Sequence, residues 1–298
     1  MKVLVCDKIA DNAVEAIREL GHDVTVKTDM TPEQLLETVP GYEVMIVRSA
    51  TKVRENVIDK AENLKLVIRG GVGLDNIDVD YAKSKGVTVS NTPAASSVSV
   101  AELAFAHMLS LARHIAPADK TMKEGKWNKK QYRGNEMTGK TLGIVGCGRI
   151  GREAARIAEG FRMNVIGYDP YVKECSEPFI SMKEYDEVLE EADFITLHLP
   201  FTEQTKHMFS KEHFAKMKEE AFFVSCARGG IVDEKALADA LKNNEIKGAA
   251  LDVYEKEPPE MSELFELDNF EASPHIGAQT FEAQDKVGDE IVKIIKNF

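Results

Sequence analysis

Residues 141–151 read TLGIVGCGRIG, and this stretch decides the fold that the sequence predicts. Positions 142–145 form a short apolar run bounded by glycines, which is typical of a buried parallel strand. A G-x-G-x-x-G pattern follows, and residues 152–159 then have the composition of a helix. We therefore predict a strand, a glycine-rich turn and a helix in direct succession.

Each glycine of that pattern has a physical role in seating a dinucleotide. Gly146 permits the tight turn, Gly148 lets a diphosphate lie against bare backbone, and Gly151 lets the helix press on the strand. The amides of Arg149 and Ile150 would point at the diphosphate from a helix N-terminus, where the helix dipole favours negative charge.

A lone glycine pattern also occurs in ordinary structural turns. The surrounding sequence must therefore distinguish a dinucleotide site from such a turn. Residues 164–168 are predicted to form a second strand that ends at Asp169, 18 positions after Gly151. This spacing fits the acidic residue that accepts hydrogen bonds from the adenosine ribose. Because a carboxylate there would repel the 2′-phosphate of NADP, the expected cofactor is NAD.

Composition narrows the class of protein. A chain of 298 residues, 43% hydrophobic and 30% charged, is expected to form about two globular domains. The net charge of −12 argues against nucleic acid and anionic membranes as partners. The first residues are too soon interrupted by charge for a signal peptide, and no apolar run approaches a membrane span. Four scattered cysteines predict buried thiols in a reducing cytoplasm rather than disulfides or metal ligands.

The chain before the glycine motif alternates between strands and helices, which predicts a small doubly wound domain with a parallel sheet. Residues 97–114 are predicted to form a long helix that is apolar nearly all round, and such a helix must be buried, for example against a second subunit. The closing helix, residues 282–296, is a candidate to return and cover the first sheet.

Three segments outside the glycine motif are candidates for binding an anionic substrate. Arg48 and Ser49 follow one strand, and the Gly70-Gly71-Val72 turn, whose amides could grip a carboxylate, follows another. A plain strand-to-helix turn is an equally good interpretation. Residues 120–133 hold six basic side chains around the single tryptophan, and they form either a solvated loop or a flap that attracts anions.

Arg228, Glu257 and His275 follow predicted strand ends in the half of the chain that holds the glycine motif. Oxidation of an alcohol by NAD needs a base for the hydroxyl proton, and histidine serves as base or acid near neutrality. Glu257 would orient the ring, and Arg228 would bind a carboxylate and polarise a carbonyl. The alternative is a surface histidine and a soluble loop. The histidines at 107, 114, 207 and 213 fall in predicted helices or caps and are interpreted as structural.

Four motifs together resemble the signatures of the D-isomer-specific 2-hydroxyacid dehydrogenases: ARGGIVDE at 227–234, GAALDVY at 248–254, EP at 257–258 and PHIG at 274–277. The resemblance runs over essentially the whole chain. It implies an α/β fold of two doubly wound parallel-sheet domains. A flavodoxin-like substrate domain, residues 1–94 with 279–298, would be discontinuous and hinged to a Rossmann NAD-binding domain, residues 95–278.

The resemblance also assigns roles to residues. Arg228, Glu257 and His275 match the catalytic set. The implied cofactor contacts are Gly146, Gly148, Arg149, Ile150, Gly151, Asp169, Leu199, Cys226, Ala227, Arg228, Asp252, His275, Gly277, Ala278 and Val72, with Asp252 near the nicotinamide carboxamide. The implied substrate contacts are Arg48, Ser49, Gly70, Gly71, Val72, Arg228 and Lys129. No metal is implied. At position 72 some members carry threonine, so only a backbone contact is inferred there.

Stretches at 47–53, 91–93 and 125–129 are most similar to the branch of the family that oxidises 3-phospho-D-glycerate to 3-phosphohydroxypyruvate for serine synthesis. Because the sequence ends at Phe298, we expect no serine-binding regulatory domain and no inhibition by serine there. The expected protein is a cytoplasmic homodimer. The alternatives are a reductase of hydroxypyruvate, glyoxylate or another 2-oxo acid, and a binding protein that senses NAD in the manner of a corepressor.

Overall fold

A computed structural model describes all 298 residues, which form two parallel sheets with helices between the strands. The strands are β1 (Lys2–Val5), β2 (Asp23–Val26), β3 (Val44–Val47), β4 (Leu66–Arg69), β5 (Thr88–Asn91), β6 (Thr141–Val145), β7 (Asn164–Tyr168), β8 (Ile180–Met182), β9 (Phe194–Leu197), β10 (Phe222–Ser225), β11 (Gly248–Leu251) and β12 (Phe270–Ala272). The helices are α1 (Asp11–Glu19), α2 (Pro32–Thr38), α3 (Glu55–Lys60), α4 (Val79–Ser84), α5 (Ser97–Arg113), α6 (Ile115–Lys123), α7 (Arg149–Gly160), α8 (Tyr185–Glu191), α9 (Lys211–Phe214), α10 (Glu234–Lys242) and α11 (Phe281–Asn297). None of these helices combines the length and the apolar character needed to cross a bilayer.

The first compact unit comprises residues 1–96 and 278–298. Its sheet has the order β2-β1-β3-β4-β5 with every pair parallel, which is the flavodoxin-like order. Alternate residues of β1 face opposite sides, so Val3 and Val5 join one apolar cluster and Leu4 joins the other. Helix α11 covers the side of Val3 and Val5, and its Gly288 allows close packing because a β-carbon there would lie 2.8 Å from the β-carbon of Ala13.

The second compact unit comprises residues 97–277. Its seven-stranded parallel sheet has the order β12-β11-β10-β9-β6-β7-β8. Chain order reverses direction between β6 and β9, and open α/β sheets bind ligands at such a switch point, beyond the carboxyl ends of the strands. The domain boundaries differ slightly from those expected: Ala95 packs in the core of the first unit, and α5 begins only at Ser97.

Local sequence explains several helix starts. Thr31 caps α2 by accepting a hydrogen bond from the amide of Gln34, whose side chain accepts one from the amide of Thr31, and Pro32 occupies the first helical position. Thr280 caps α11 by accepting from the amide of Ala283.

One local expectation was wrong, and one strand was not predicted. The solvated-loop interpretation of residues 120–133 fails for its first four residues, which belong to α6. Pro117 lies in the first turn of that helix, where its missing N–H costs no intrahelical bond, and Lys123 pairs with Asp119 at 2.6 Å. The edge strand β8 was not predicted, because three residues are too few to show a periodic pattern.

Candidate active site

The glycine-rich turn joins β6 to α7 at the switch point of the second sheet. Gly146 has a φ of +100°, and a β-carbon there would lie 2.6 Å from the carbonyl oxygen of His198, which follows β9. At Gly151 a β-carbon would lie 2.2 Å from the carbonyl oxygen of Gly146. Only glycine therefore fits at these two positions, as the sequence predicted on steric grounds.

Gly148 differs from its two neighbours because a β-carbon there would meet no atom within 4 Å. It is exposed and precedes Arg149, the first residue of α7. The first amides of a helix have no partner within it, so those of Arg149 and Ile150 are available to an anion in the open space beside Gly148. This cradle fits a diphosphate.

Asp169 follows β7 and lies beside the glycine turn. Its carboxylate accepts hydrogen bonds from the amide of Cys147 at 3.0 Å and from that of Tyr171 at 2.9 Å. Two backbone donors hold the carboxylate in one orientation next to the turn. A negative charge at this place suits the ribose hydroxyls of NAD and opposes a 2′-phosphate.

Glu257 and His275 form a hydrogen-bonded pair, with Nδ1 of the ring 2.8 Å from Oε2 of the carboxylate. A carboxylate accepts only, so the neutral ring carries its proton on Nδ1 and leaves the lone pair of Nε2 free to act as a base. The two side chains are 41% and 39% exposed, so the pair is accessible to a small molecule. His275 has a φ of +53°, a left-handed conformation that non-glycine residues adopt infrequently and that occurs at functional sites.

The charge of Glu257 depends on its surroundings. Burial raises the pKa of this carboxyl, but the hydrogen bond and charge of His275, the amide of Tyr254 and the guanidinium of Arg228 outweigh burial and leave the pKa below its ordinary value. Arg228 follows β10, is half-buried and donates a 2.7 Å hydrogen bond to the carbonyl of Ala227. All three predicted catalytic side chains therefore belong to one unit, and the other two both influence Glu257.

The remaining cofactor contacts expected in the second unit follow strand ends. Leu199, Cys226 and Ala227 are buried at 8%, 6% and 5% exposure. Asp252 is also buried, and its carboxylate accepts hydrogen bonds from the side chain of Ser273 and from the amides of Ile276 and Gly277. The structure thus shows this carboxylate holding its own chain, and its contact with a carboxamide remains a prediction.

Burial favours the protonated form of the buried cysteine thiols. Burial raises the pKa of the Cys147 thiol to about 12 and that of Cys226 still further, so neither is a thiolate near neutral pH. Cys6 in the first unit has a pKa raised to about 12, mainly by burial. The site therefore offers no cysteine nucleophile.

The predicted substrate residues of the first unit lie at neighbouring strand ends. Arg48 follows β3, and its Nη1 donates to Oε1 of Gln284 at 2.6 Å. Burial lowers the pKa of this guanidinium while Asp7 opposes the shift, and arginine stays cationic throughout the physiological range. Ser49 is exposed. Gly71 has a φ of +146°, a backbone conformation that residues with a β-carbon rarely adopt, so glycine is favoured there.

Four other residues that are expected to contact the cofactor or the substrate lie outside the groups of residues described above. Val72 is half-buried in the first unit, and its carbonyl accepts a hydrogen bond from the side chain of Asn91. Gly70 packs near Val287, and Ala278 accepts a hydrogen bond from Gln284. Lys129 is exposed in the second unit, close in sequence to Trp127, whose exposure is 78%. The roles of these four in binding remain predictions.

The other histidines mostly lie where the sequence predicted. His107 is buried in α5, His213 completes a capping box with Ser210, and His114 precedes α6. His207 is the exception, because it lies in a turn outside any helix, with a φ of +48° and Nε2 3.2 Å from Glu255. The apolar pattern of that stretch was too short to separate a turn from a helix.

A family model described as the NAD binding domain of the D-isomer specific 2-hydroxyacid dehydrogenases matches residues 105–277. The chain belongs to this family. The second unit is accordingly its NAD-binding domain, which agrees with the cradle around Gly148.

Individual relatives of this chain point to the same family. A D-3-phosphoglycerate dehydrogenase of Methanocaldococcus jannaschii is 48% identical over 99% of this chain and 57% of its own length. A hydroxypyruvate reductase of Thermotoga maritima is 45% identical over 99% of this chain and 97% of its own length. The chain thus spans little more than half of the first relative and nearly all of the second.

Solved structures share the fold along the whole chain. A D-lactate dehydrogenase from Aquifex aeolicus, crystallised with NAD and lactic acid, has a TM-score of 0.83 at 30% identity, covering 99% of this chain and 94% of that one. A protein from Thermus thermophilus has a TM-score of 0.91 at 32% identity, covering 98% of this chain and 94% of that one.

Sequence reasoning missed the residues that hold the loop of Arg48. The carboxylate of Asp7 accepts from the amides of Arg48 and Thr51, and the side chain of Asn76 donates to the carbonyls of the same two residues at 2.7 Å. Asp7 comes shortly after β1, so a polar residue near a strand end was the available signal. For Asn76 and Gln284 the sequence held no comparable signal.

Proposed function

We propose that this protein is an NAD-dependent dehydrogenase that oxidises 3-phospho-D-glycerate to 3-phosphohydroxypyruvate, a reaction that would serve serine biosynthesis. The observation that carries the proposal is the 2.8 Å contact between His275 and Glu257 on an NAD-binding domain. Relatives named D-3-phosphoglycerate dehydrogenase, 41–48% identical over nearly the whole chain, support the choice of substrate.

The chain's own residues would carry the proton chemistry. Bound NAD supplies the hydride acceptor. Nε2 of His275 takes the proton from the substrate hydroxyl, while the ionised Glu257 at Nδ1 stabilises the imidazolium that results. The guanidinium of Arg228 binds the substrate carboxylate and polarises the oxygen on the carbon that reacts. In the reverse direction His275 returns the proton to the carbonyl oxygen.

The phosphate of 3-phospho-D-glycerate is a second anionic group, and it needs cationic residues other than Arg228. In this proposal the first unit binds substrate and the second binds cofactor. Arg48, held by Gln284 at 2.6 Å, and the Gly70-Gly71-Val72 turn would bind the phosphorylated end, with Lys129 as a further cation. Fixing the guanidinium in advance reduces the entropy lost when a phosphate binds.

A second candidate is reduction of hydroxypyruvate or another small 2-oxo acid such as glyoxylate. It is supported by the 45% identity to a hydroxypyruvate reductase along 97% of that protein's length. The chemistry at His275 is the same in both candidates, so the difference lies in the phosphate.

Steady-state assays separate the candidates. Rates of NAD reduction with 3-phosphoglycerate are compared with rates of NADH oxidation by 3-phosphohydroxypyruvate, hydroxypyruvate and glyoxylate. Preference for phosphorylated acids that is lost in Arg48→Ala, and kept in the matched variant Arg18→Ala, supports the first proposal, because Arg18 is a surface residue paired with Glu15. A preference for unphosphorylated acids supports the second. NADH binding without turnover of any 2-oxo acid would instead favour an NAD-sensing binding protein.

The proposal extends to assembly and compartment. Ile115, Met122 and Trp127 on and beside α6 expose 57%, 53% and 78% of their surface, which supports a homodimer that covers them. Light scattering during size-exclusion chromatography tests this, and a monomer at micromolar concentration would contradict it. The buried free thiols of Cys6, Cys147 and Cys226 support a reducing cytoplasm.

A further inference from the structure

A chain of buried polar side chains lies behind the loop that carries His275. It consists of His107 on α5, Ser273 and Asp252, which are 8%, 8% and 1% exposed. Nε2 of His107 lies 2.9 Å from Oγ of Ser273, which lies 2.6 Å from Oδ1 of Asp252. Buried polar groups in such a chain strengthen one another because the surroundings have a low dielectric constant.

The donors in this chain can be assigned. Asp252 receives two backbone N–H groups as well as the Ser273 hydroxyl, so it is an acceptor throughout and the hydroxyl proton points at it. A hydroxyl has one proton, and the Ser273 oxygen must therefore accept from His107. The ring of His107 consequently carries its proton on Nε2, while Nδ1 faces the carboxylate of Glu271 at 3.9 Å.

Asp252, at the opposite end of this hydrogen-bonded series from His107, binds the backbone next to His275. Oδ1 and Oδ2 of Asp252 accept from the amides of Ile276 and Gly277, each at 2.8 Å. These amides immediately follow His275, whose φ of +53° lies in the left-handed region that non-glycine residues adopt infrequently. On the other side, the amide of His275 donates to the carbonyl of Ser273 at 3.1 Å. The left-handed turn is therefore fixed at both ends.

We propose that His107 and Ser273 are positioning residues for the general base. They orient the carboxylate of Asp252, which holds the loop in the conformation that brings Nδ1 of His275 to Glu257. The expected effect of these residues on catalysis rests on the proposed function. Their expected effect on the tautomer of the His275 ring does not, because it is measured without turnover.

The kinetic test replaces the side chains of Ser273 and His107 one at a time. Ser273→Ala and His107→Leu remove one donor each, and both are expected to lower kcat about tenfold while the KM for NADH changes less than twofold, because a displaced base affects the chemical step. His107→Gln keeps an N–H donor and is expected to retain most of the activity. The double variant is expected to be no worse than either single one, because the two side chains act through one carboxylate.

Ser225→Ala is the matched control. Its hydroxyl is also buried, ends the neighbouring strand β10 and has no hydrogen-bond partner. This substitution also removes a serine hydroxyl, but it leaves the hydrogen bonds among His107, Ser273 and Asp252 unchanged. The kcat is therefore expected to stay near wild type. Urea unfolding of all variants separates a displaced loop from a general loss of stability.

The second measurement does not need turnover. With ¹⁵N-labelled histidine, only seven residues give ring signals, and His275→Gln assigns the one in question. Wild type and Ser225→Ala are expected to hold the Nδ1–H tautomer, and Ser273→Ala to show a mixture. A kcat for Ser273→Ala within about threefold of the Ser225→Ala value, or an unchanged tautomer, would overturn the proposal. If wild type turns over no 2-oxo acid, the proposed function fails, and the tautomer alone decides this inference.

Discussion

Nδ1 of His275 lies 2.8 Å from Oε2 of Glu257, although 18 residues separate them in the chain. The two loops meet because both follow neighbouring strands, β11 and β12, at the carboxyl edge of one parallel sheet. Tyr254 stabilises this contact, because its amide donates to Oε1 of Glu257 at 3.2 Å.

Replacing His275 by glutamine is expected to lower kcat by about 10²–10⁴, the usual contribution of a general base. The matched control is His207→Gln. His207 is also 41% exposed, also has a positive φ and also pairs with a glutamate, yet it lies in a turn outside the site. Its kcat should stay within about twofold of wild type. A loss of less than about tenfold in His275→Gln, measured by NADH absorbance, would show that the ring is not the base.

Glu257→Gln is expected to lower stability in a pH-dependent way. The pKa of this carboxyl lies below its ordinary value, because the interactions with His275, Tyr254 and Arg228 outweigh the effect of burial. The ionised form therefore adds stability above the unfolded-state pKa of about 4.3, and this is lost as the pH falls through the folded-state pKa. The deficit should be at most about 1 kcal/mol at pH 7, because the pair is half-exposed.

Urea unfolding at pH 7, 5 and 3.5 measures that difference in free energy between wild type and Glu257→Gln. The deficit should shrink between pH 5 and 3.5, because the Glu257 carboxylate becomes protonated as the pH falls through its folded-state pKa. Glu203→Gln, at an exposed turn, serves as control and should show no trend of this kind. A deficit that grows between pH 5 and 3.5 would contradict the expected sign.

The glycine turn allows folding and cofactor binding to be separated. Gly148→Ala places a methyl group in open space, so unfolding by urea should be unchanged while NADH affinity, measured by fluorescence, falls at least tenfold. Gly160→Ala, at the end of the same helix and equally free of contacts, should change neither. Gly151→Ala should destabilise the fold itself by more than about 1 kcal/mol, because its β-carbon meets backbone at 2.2 Å. Full NADH affinity in Gly148→Ala would exclude the diphosphate from this place.

Asp169→Asn tests the choice between the two nicotinamide cofactors. The amide oxygen of asparagine can keep one of the two backbone hydrogen bonds, but the charge that opposes a 2′-phosphate is lost. The ratio of kcat/KM for NADH to that for NADPH should fall at least tenfold. The control is Asp186→Asn, which removes an exposed carboxylate paired with Lys216 and should leave the ratio unchanged. An unaltered ratio in Asp169→Asn would remove this residue from the ribose site.

Sequence reasoning reached the fold class and the glycine turn because both depend on local signals. Apolar runs such as that of β6 and the spacing of Gly146, Gly148 and Gly151 report strand, turn and helix within a few residues. Arg228, Glu257 and His275 were found by residue type and position after strands, and their roles came from a family resemblance. Asp7, Asn76 and Gln284 went unnoticed because their partners are distant in the chain, 41, 28 and 236 residues in the contacts with Arg48.

The sequence by itself determined two parallel sheets, a glycine-rich strand-to-helix turn and the types of side chain available for acid–base chemistry, because these follow from periodicity, glycine spacing and chemical identity. Only the tertiary structure decided which of those side chains meet. The contact of Glu257 with His275, the three hydrogen bonds to Asp252 and the anchoring of Arg48 by Gln284 depend on strand order and loop conformation. Such contacts join residues far apart in the chain, and no local pattern encodes their distance.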